Sequence, residues 1–206
     1  MLIPGALYIG AATAALLAGP GLGRCVALAT DRHPDPRLIK AVCLAAALLI
    51  AWRADGLLHG VALGTVAAAG VAAGWIDVYQ RRLPDALILP AYPLVAALLI
   101  ATGEPGTLLR AAACAAIGMA LYGIGCAFGQ IGFGDVKLAG LLGLVSGWAS
   151  WEAAALALAA TIVIGGAQAA AVVVTGRRDF PYGPAMLTGT AAGIAAEPWV
   201  VLYPVS

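Results

Sequence analysis

Two aspartates in apolar surroundings are the residues of this sequence best suited to chemistry. Asp77 ends the apolar run 57–77, and Asp135 follows a glycine-rich turn after the run 108–128. A carboxylate beside hydrocarbon is costly to bury, so an acid in such a place indicates a functional site. The alternative interpretation is a glycine-rich helix end in which Asp135 pairs with Lys137.

Two carboxylates held close together in a low-dielectric site share one proton, because both cannot ionise easily. Such a pair can hydrolyse a peptide bond. The ionised acid takes a proton from the attacking water, the protonated acid polarises the carbonyl, and the roles reverse at the leaving amine. This chemistry uses no metal ion or organic cofactor, and we expect neither. Gly132 and Gly134 lack a Cβ, so we expect unusual dihedral angles and close approach of a substrate strand beside Asp135.

The elements that must position these acids are membrane helices. Apolar residues make up 63% of the chain and charged residues 10%, against about 45–50% and about 25% in soluble domains. These proportions exclude a soluble globular protein. The net charge of +1 argues against nucleic acid as a partner, and the lipid bilayer is the expected surrounding. Four scattered cysteines and two histidines give no support for a zinc site.

A membrane-spanning helix needs about 20 predominantly apolar residues. Eight apolar runs are found, at 4–29, 38–52, 57–77, 86–102, 108–128, 138–150, 153–175 and 184–203. They lack the two-residue alternation of a barrel, so we predict an all-α polytopic transmembrane bundle of about eight helices, with six or seven as alternatives. The loops are short, which predicts a single domain over 1–206. The two aspartates are 58 residues apart, enough for one helix out and one back, so both should reach the same membrane edge.

The basic residues predict the orientation of the bundle, because Lys and Arg accumulate in cytoplasmic loops. Nine of the eleven fall on one side: Arg24, Arg32, Arg37, Lys40, Arg81, Arg82, Lys137, Arg177 and Arg178. This side also carries both aspartates. We therefore predict that the aspartates face the cytoplasm and that both chain termini lie outside.

Three segments resemble one family of membrane proteases. Residues 132–138 resemble the GxGD signature of the type IV prepilin peptidases, membrane aspartic proteases that remove the leader of prepilins. Asp77, followed by 81–85, is similar to the first catalytic aspartate of that family and the basic residue, apolar residue and proline after it. Residues 180–185 are similar to its proline-aromatic-glycine-proline segment before the last helix. The three occur in family order.

The resemblance implies that Asp77 and Asp135 are the catalytic pair. It implies cleavage of type IV prepilins or secretion pseudopilins after a glycine, at the cytoplasmic face of the bacterial inner membrane. Seven residues of the same motifs are expected to support the active site or bind substrate: Gly132, Gly134, Lys137, Pro84, Tyr182, Gly183 and Pro184.

The segment between the first two helices departs from the family pattern. Many members carry there a large cytoplasmic segment with paired C-x-x-C motifs, linked to N-methylation of the new N-terminus. This chain has only 30–37 at that place. The resemblance therefore does not extend to methyltransferase activity or S-adenosylmethionine binding, and a minimal, peptidase-only enzyme is expected. Methylation would then belong to another protein.

Two other functions fit the aspartates in part. A proton-coupled transporter would use them as proton carriers, although its site should lie near the midplane rather than at one edge. A non-catalytic assembly factor of a pilus or secretion system is the other alternative. We further expect Asp85, after Pro84, to cap the fourth helix, Pro90 and Pro93 to kink it, and His59 to be a satisfied packing residue. The sequence does not predict an oligomeric state.

Overall fold

A computed structural model describes residues 3–176 and 180–202 of the chain. The described residues form nine α-helices and no strand: α1 (Ile3–Thr30), α2 (Pro36–Arg53), α3 (Leu57–Gln80), α4 (Asp85–Ile88), α5 (Ala91–Ala101), α6 (Pro105–Ala127), α7 (Phe133–Ala149), α8 (Trp151–Thr175) and α9 (Gly183–Leu202). The predicted all-α bundle is confirmed, and α4 with α5 make up the fourth of the eight predicted segments. Arg177 and Arg178 lie outside the described residues.

Four of the described helices are long and apolar enough to cross a membrane by length and composition: Gly10–Thr30 within α1, and α3, α6 and α8 in full. Many leucines and valines on their outer faces are exposed, for example Leu17 and Val174. Such an outward apolar surface is typical of a protein surrounded by lipid. The chain is therefore a membrane protein.

The break between α4 and α5 has a local cause. Pro90 has no N–H to donate and stands directly before α5, and Pro93 falls within the first turn of that helix. The chain consequently makes a short turn at 89–90 instead of one continuous helix. The expected kink in this segment is confirmed.

Helix α7 lies at the centre of the bundle. Its side chains are buried on nearly every face, among them Val136, Leu138, Leu141 and Val145. Glycines let the neighbouring helix approach it closely: a Cβ added at Gly143 would lie 2.7 Å from the Cα of Ala115 on α6. Helix α7 is thus surrounded by other helices of the bundle rather than by lipid.

The loops define two ends of the bundle. At the aspartate end, α3 finishes at Gln80 and α7 and α9 begin. The turn from α1 into α2 lies there too, since the amide of Gln80 donates to the carbonyl oxygen of Ala29 at 3.0 Å. At the opposite end, α2 finishes at Arg53 and α7 finishes at Ala149. Both predicted acids lie at the aspartate end.

Candidate active site

Asp77 lies in the last turn of α3 and is only 5% exposed. The helix ends just after it, because Arg81 adopts a left-handed conformation (φ 55°) and its N–H donates to the carbonyl oxygen of Asp77 at 2.9 Å. A negative charge at a helix C-terminus is unfavourable because it faces the negative end of the helix dipole. The helix itself gains nothing from an acid here, so the placement favours a functional role.

The carboxylate of Asp77 is held by the start of α9. The N–H of Gly183 donates to Oδ2 of Asp77 at 2.9 Å. Because Gly183 is the first residue of α9, the positive end of that helix dipole faces the carboxylate. A Cβ at this position would lie 3.0 Å from the same oxygen, so any larger residue would crowd it.

Asp135 occupies the third position of α7, where a negative charge suits the positive end of the helix. Its Oδ2 accepts a hydrogen bond from the backbone N–H of Gly132, the residue that caps the helix, at 3.2 Å. The carboxylate is therefore directed back over the start of α7 and is partly buried there.

Leu83 joins the three segments that carry the family resemblance. It is 8% exposed and follows Asp77 by six residues. A Cβ at Gly134 would lie 2.9 Å from Cβ of Leu83, and a Cβ at Gly183 would lie 3.2 Å from its Cδ2. The ends of α3, α7 and α9 thus meet around this one side chain. Sequence analysis did not single out Leu83, although it lies inside the 81–85 segment.

The two carboxylates interact electrostatically. Burial, and then the negative charge of Asp77, raise the pKa of Asp135 to about 6, while the hydrogen bond from Gly132 opposes the rise. A raised pKa caused by a second acid is the condition for two carboxylates to share a proton. Asp135 can thus hold a proton at mildly acidic pH and act as an acid.

The expected role of the glycines is wrong in one respect. Gly132 has φ −73° and ψ 148°, and Gly134 is not among the residues with positive φ, so neither uses the unusual dihedral angles we expected. The close approach at Gly134 is made by Leu83 of the same chain. Glycine is required there because α7 must pack against the loop after α3.

Lys137 does not pair with Asp135. Its Nζ lies 2.7 Å from both carboxylate oxygens of Asp85 and 4.7 Å from the ring centroid of Phe133. The alternative interpretation of Asp135 as the partner of a lysine is therefore wrong. The expectation that Asp85 caps the fourth helix is also wrong, because Pro84 is the capping residue and the side chain of Asp85 reaches across to α7.

The remaining predicted site residues surround the start of α9. Pro84 caps α4 directly after Leu83, and Pro184 follows Gly183. The hydroxyl of Tyr182 lies 3.5 Å from that of the buried Tyr122 on α6. Tyr122 was missed by sequence analysis, because a tyrosine in an apolar helix carries no local signal of its partner 60 residues away.

In residues 3–176 and 180–202, His, Cys, Asp and Glu do not gather in groups of three that would hold a metal ion.

Comparison with models of protein families identifies one family. The model of the type IV leader peptidase family matches residues 64–170, about half of the chain. The chain belongs to this family. The range matched to the type IV leader peptidases contains Asp77, Leu83, Pro84 and the segment 132–137. Tyr182, Gly183 and Pro184 lie beyond it. Comparisons with curated proteins and with solved structures gave no significant match.

Proposed function

We propose that the chain is a membrane-embedded aspartic endopeptidase that cleaves the leader from type IV prepilins or pseudopilins, with Asp77 and Asp135 as the catalytic pair. One observation carries the proposal. Two acids from separate helices lie at the same end of the bundle, where Leu83 packs between the ends of their helices, and burial together with the charge of Asp77 raises the pKa of Asp135. Membership of the type IV leader peptidase family supports a peptidase and, in general, a prepilin-type substrate.

The proposed reaction needs only the pair and one water molecule. Asp77 is held through Oδ2 by the N–H of Gly183 and accepts a proton from the water molecule. At the same time, the water oxygen forms a bond to the scissile carbonyl carbon. Asp135 donates its proton to the carbonyl oxygen. Asp77 then returns its proton to the amine nitrogen while Asp135 takes a proton from the tetrahedral intermediate. The C–N bond breaks, and the pair again holds one proton.

The charge distribution supports a cytoplasmic location for the cleavage. Arg81 and Arg82 are exposed at the aspartate end, and Arg32 contacts the ring of Tyr79 there at 5.8 Å. At the opposite end, the basic side chains of Arg53 and Arg110 are bonded to other helices. An excess of exposed basic residues at one end favours the cytoplasmic side. We propose the bacterial inner membrane as the location.

The proposal does not include N-methylation. The chain between α1 and α2 consists of residues 31–35 alone, and Asp35 there caps α2 by accepting from the N–H of Arg37 at 2.8 Å. The connection is thus a tight cap rather than a folded insertion. We propose a peptidase without an S-adenosylmethionine site.

The test is incubation of the purified chain with a co-expressed candidate prepilin, read as the mass of the new N-terminus. We expect cleavage after a glycine, with no added methyl group. Asp77→Asn and Asp135→Asn should each reduce the cleavage rate by at least about a thousandfold, because each removes one proton-transfer partner.

Asp31→Asn is the matched control. Asp31 is an exposed aspartate at the same end, and its left-handed conformation (φ 54°) is one that asparagine also adopts. It should cleave at the unmodified rate. Cleavage that survives in either catalytic-pair variant would reject the assignment.

A further inference from the structure

An apolar groove of about 560 Å³ runs along the outside of the bundle between α2, α3 and α9. Its walls are almost entirely apolar and include four alanines, two from α2 and one each from α3 and α9. The floor forms where α9 lies on α3, since a Cβ at Gly70 would lie 2.5 Å from Cδ2 of Leu187. The groove is therefore a built concavity between packed helices.

One end of this groove adjoins the candidate active site. Gly74 and Val78 of α3 line it there, and Asp77 lies between these positions in the chain. Pro184 of α9 lines it too, next to the Gly183 whose N–H holds Asp77. A bound peptide that extends out of the groove at this end would lie next to the aspartates.

The other end lies toward the opposite end of the bundle. Leu63 of α3 lines it, 15 residues from Val78, so the groove follows α3 for about 22 Å at 1.5 Å per residue. Beyond that end, the side chain of Arg53 on α2 pairs with Glu197 on α9. This ion pair ties the two walls together, so the groove has one end at the aspartates and one end closed by a salt bridge.

We propose that this groove binds the apolar helix of the substrate. The inference rests on the proposed function, because the family resemblance implies a substrate in which one apolar helix follows the leader. Alanines in the walls allow a second helix to approach closely, as small residues do between helices in membranes. When a substrate helix binds with its N-terminal end at Val78 and Pro184, the residues that precede this helix lie alongside Asp77.

The continuity with the aspartates favours a peptide helix over a lipid chain as the occupant. An acyl chain needs an apolar channel but gains nothing from an end that adjoins two carboxylates. A prepilin-type substrate needs both the apolar groove and the adjoining carboxylates, because its scissile bond must reach the acids while its helix stays in apolar surroundings. Occupation by lipid alone is an outcome that the experiment below can reveal.

A second cavity provides a matched control surface. It measures about 250 Å³ and is lined by α6, α7, α8 and α9. Ala154 of α8 lines it, and Ala67 of α3 lines the larger groove. Both alanines are partly buried. Ala67 is ten residues from Asp77 along α3, about 15 Å away, so its substitution leaves the acids untouched.

The first measurement compares two substrates, a full prepilin and a short peptide that spans only the leader junction. Ala67→Phe should fill the groove and raise KM for the prepilin by about tenfold, with kcat and the cleavage of the short peptide unchanged. Ala154→Phe should change neither. Equal effects of the two variants on the prepilin, or an equal effect of Ala67→Phe on both substrates, would overturn the groove assignment.

The second measurement detects contact without relying on cleavage. A benzophenone amino acid replaces Ala67 or Ala154 in the Asp77→Asn enzyme, in vesicles that contain the prepilin. Irradiation should cross-link the prepilin at position 67 and not at 154. Cross-links to lipid alone at position 67 would overturn the inference while leaving the protease assignment intact. Prepilin cross-links at 67 without any cleavage by the unmodified enzyme would instead reject the proposed function.

Discussion

At the end of the bundle opposite Asp77, the guanidinium groups of Arg53 and Arg110 bind a carboxylate and backbone carbonyl oxygens, whereas the aspartate end holds two acids that repel each other. Arg53 pairs with Glu197 across α2 and α9. Arg110 donates to the carbonyl oxygens of Gly147 and Trp148 at 2.6 and 2.7 Å. Such contacts satisfy the end of α7 and hold helices together.

The aspartate end has a lysine close by that does not compensate the acids. Lys137 is two residues from Asp135, yet its Nζ binds the exposed Asp85. Burial, and then the charge of Asp77, instead raise the pKa of Asp135. Two neighbouring negative charges lower the free energy of unfolding. Such a pair of carboxylates is therefore expected where a reaction requires it. The comparison suggests that one end is built for stability and the other for reaction.

His59, at the end opposite Asp77, is a packing residue as expected, but it is not fully hydrogen-bonded. His59 is 5% exposed and stacks on Trp148 at 5.0 Å, as expected of a packing residue. Its Nδ1 accepts from the N–H of Asp55 at 3.4 Å. Among the described contacts, however, its Nε2 finds no hydrogen-bond partner, so the residue is packed but not fully satisfied.

The largest effect on stability should come from Arg110→Met. The substitution keeps an apolar stem but removes the donors to the last carbonyls of α7, which would stay unpaired in apolar surroundings. We expect a loss of about 2–3 kcal/mol in the free energy of unfolding, measured by thermal unfolding in detergent. The cleavage rate of the remaining folded enzyme should not change.

Arg110→Lys serves as its control. It keeps the charge and donates fewer hydrogen bonds, so an intermediate loss is expected. If Arg110→Met lost cleavage while its unfolding temperature stayed the same, the opposite end would have a catalytic role and the contrast between the ends would fail.

Asp135→Asn should have the reverse effect on stability. Asparagine keeps an oxygen for the N–H of Gly132 but removes the charge that Asp77 repels. The pKa of Asp135 rises from its ordinary 3.8 to about 6 on folding, so the folded enzyme keeps a proton that the unfolded chain loses between these values. The contribution of Asp135 to the free energy of unfolding is therefore fully present below about pH 4 and is lost as the pH rises through 6.

We accordingly expect Asp135→Asn to be more stable than the unmodified enzyme by roughly 1–2 kcal/mol at pH 8, with solvent screening included, and equal to it near pH 4. Thermal unfolding at a series of pH values measures the difference. Asp31→Asn, at an exposed site, should show no such divergence. A variant that is less stable than the unmodified enzyme at pH 8 would mean that Asp135 is a structural anchor.

Much of the fold follows from apolar run length alone. The run 57–77 corresponds to α3, which continues to Gln80, and 153–175 corresponds to α8. The exception is α7, predicted over 138–150 but beginning at Phe133. Its first five residues include a glycine, an acid and a lysine, a composition that hydropathy alone assigns to a loop. The cap made by Gly132 and Asp135 allows the helix to begin there.

The candidate site was predictable in its two acids and not in what surrounds them. Asp77 and Asp135 stand out because an acid beside an apolar run is rare. Leu83 does not stand out, because its importance comes from contacts with residues 134 and 183, which no local pattern encodes. For the same reason the choice of Lys137 between Asp85 and Asp135 could not be made from spacing, since both acids lie near it in the predicted topology.

The smallest effect on stability and on kcat should come from substitution of Lys137. This substitution tests whether Lys137 belongs to the site at all. Its partner Asp85 has a side chain that is 53% exposed, and exposed ion pairs contribute about 0–1 kcal/mol. Lys137→Met should therefore lower the free energy of unfolding by less than about 1 kcal/mol and leave kcat within about twofold. Asp85→Asn should match it in both measurements, because each variant breaks the same pair. If Lys137→Met alone reduced kcat tenfold, the lysine would act on the substrate or the aspartates and would belong to the reactive site.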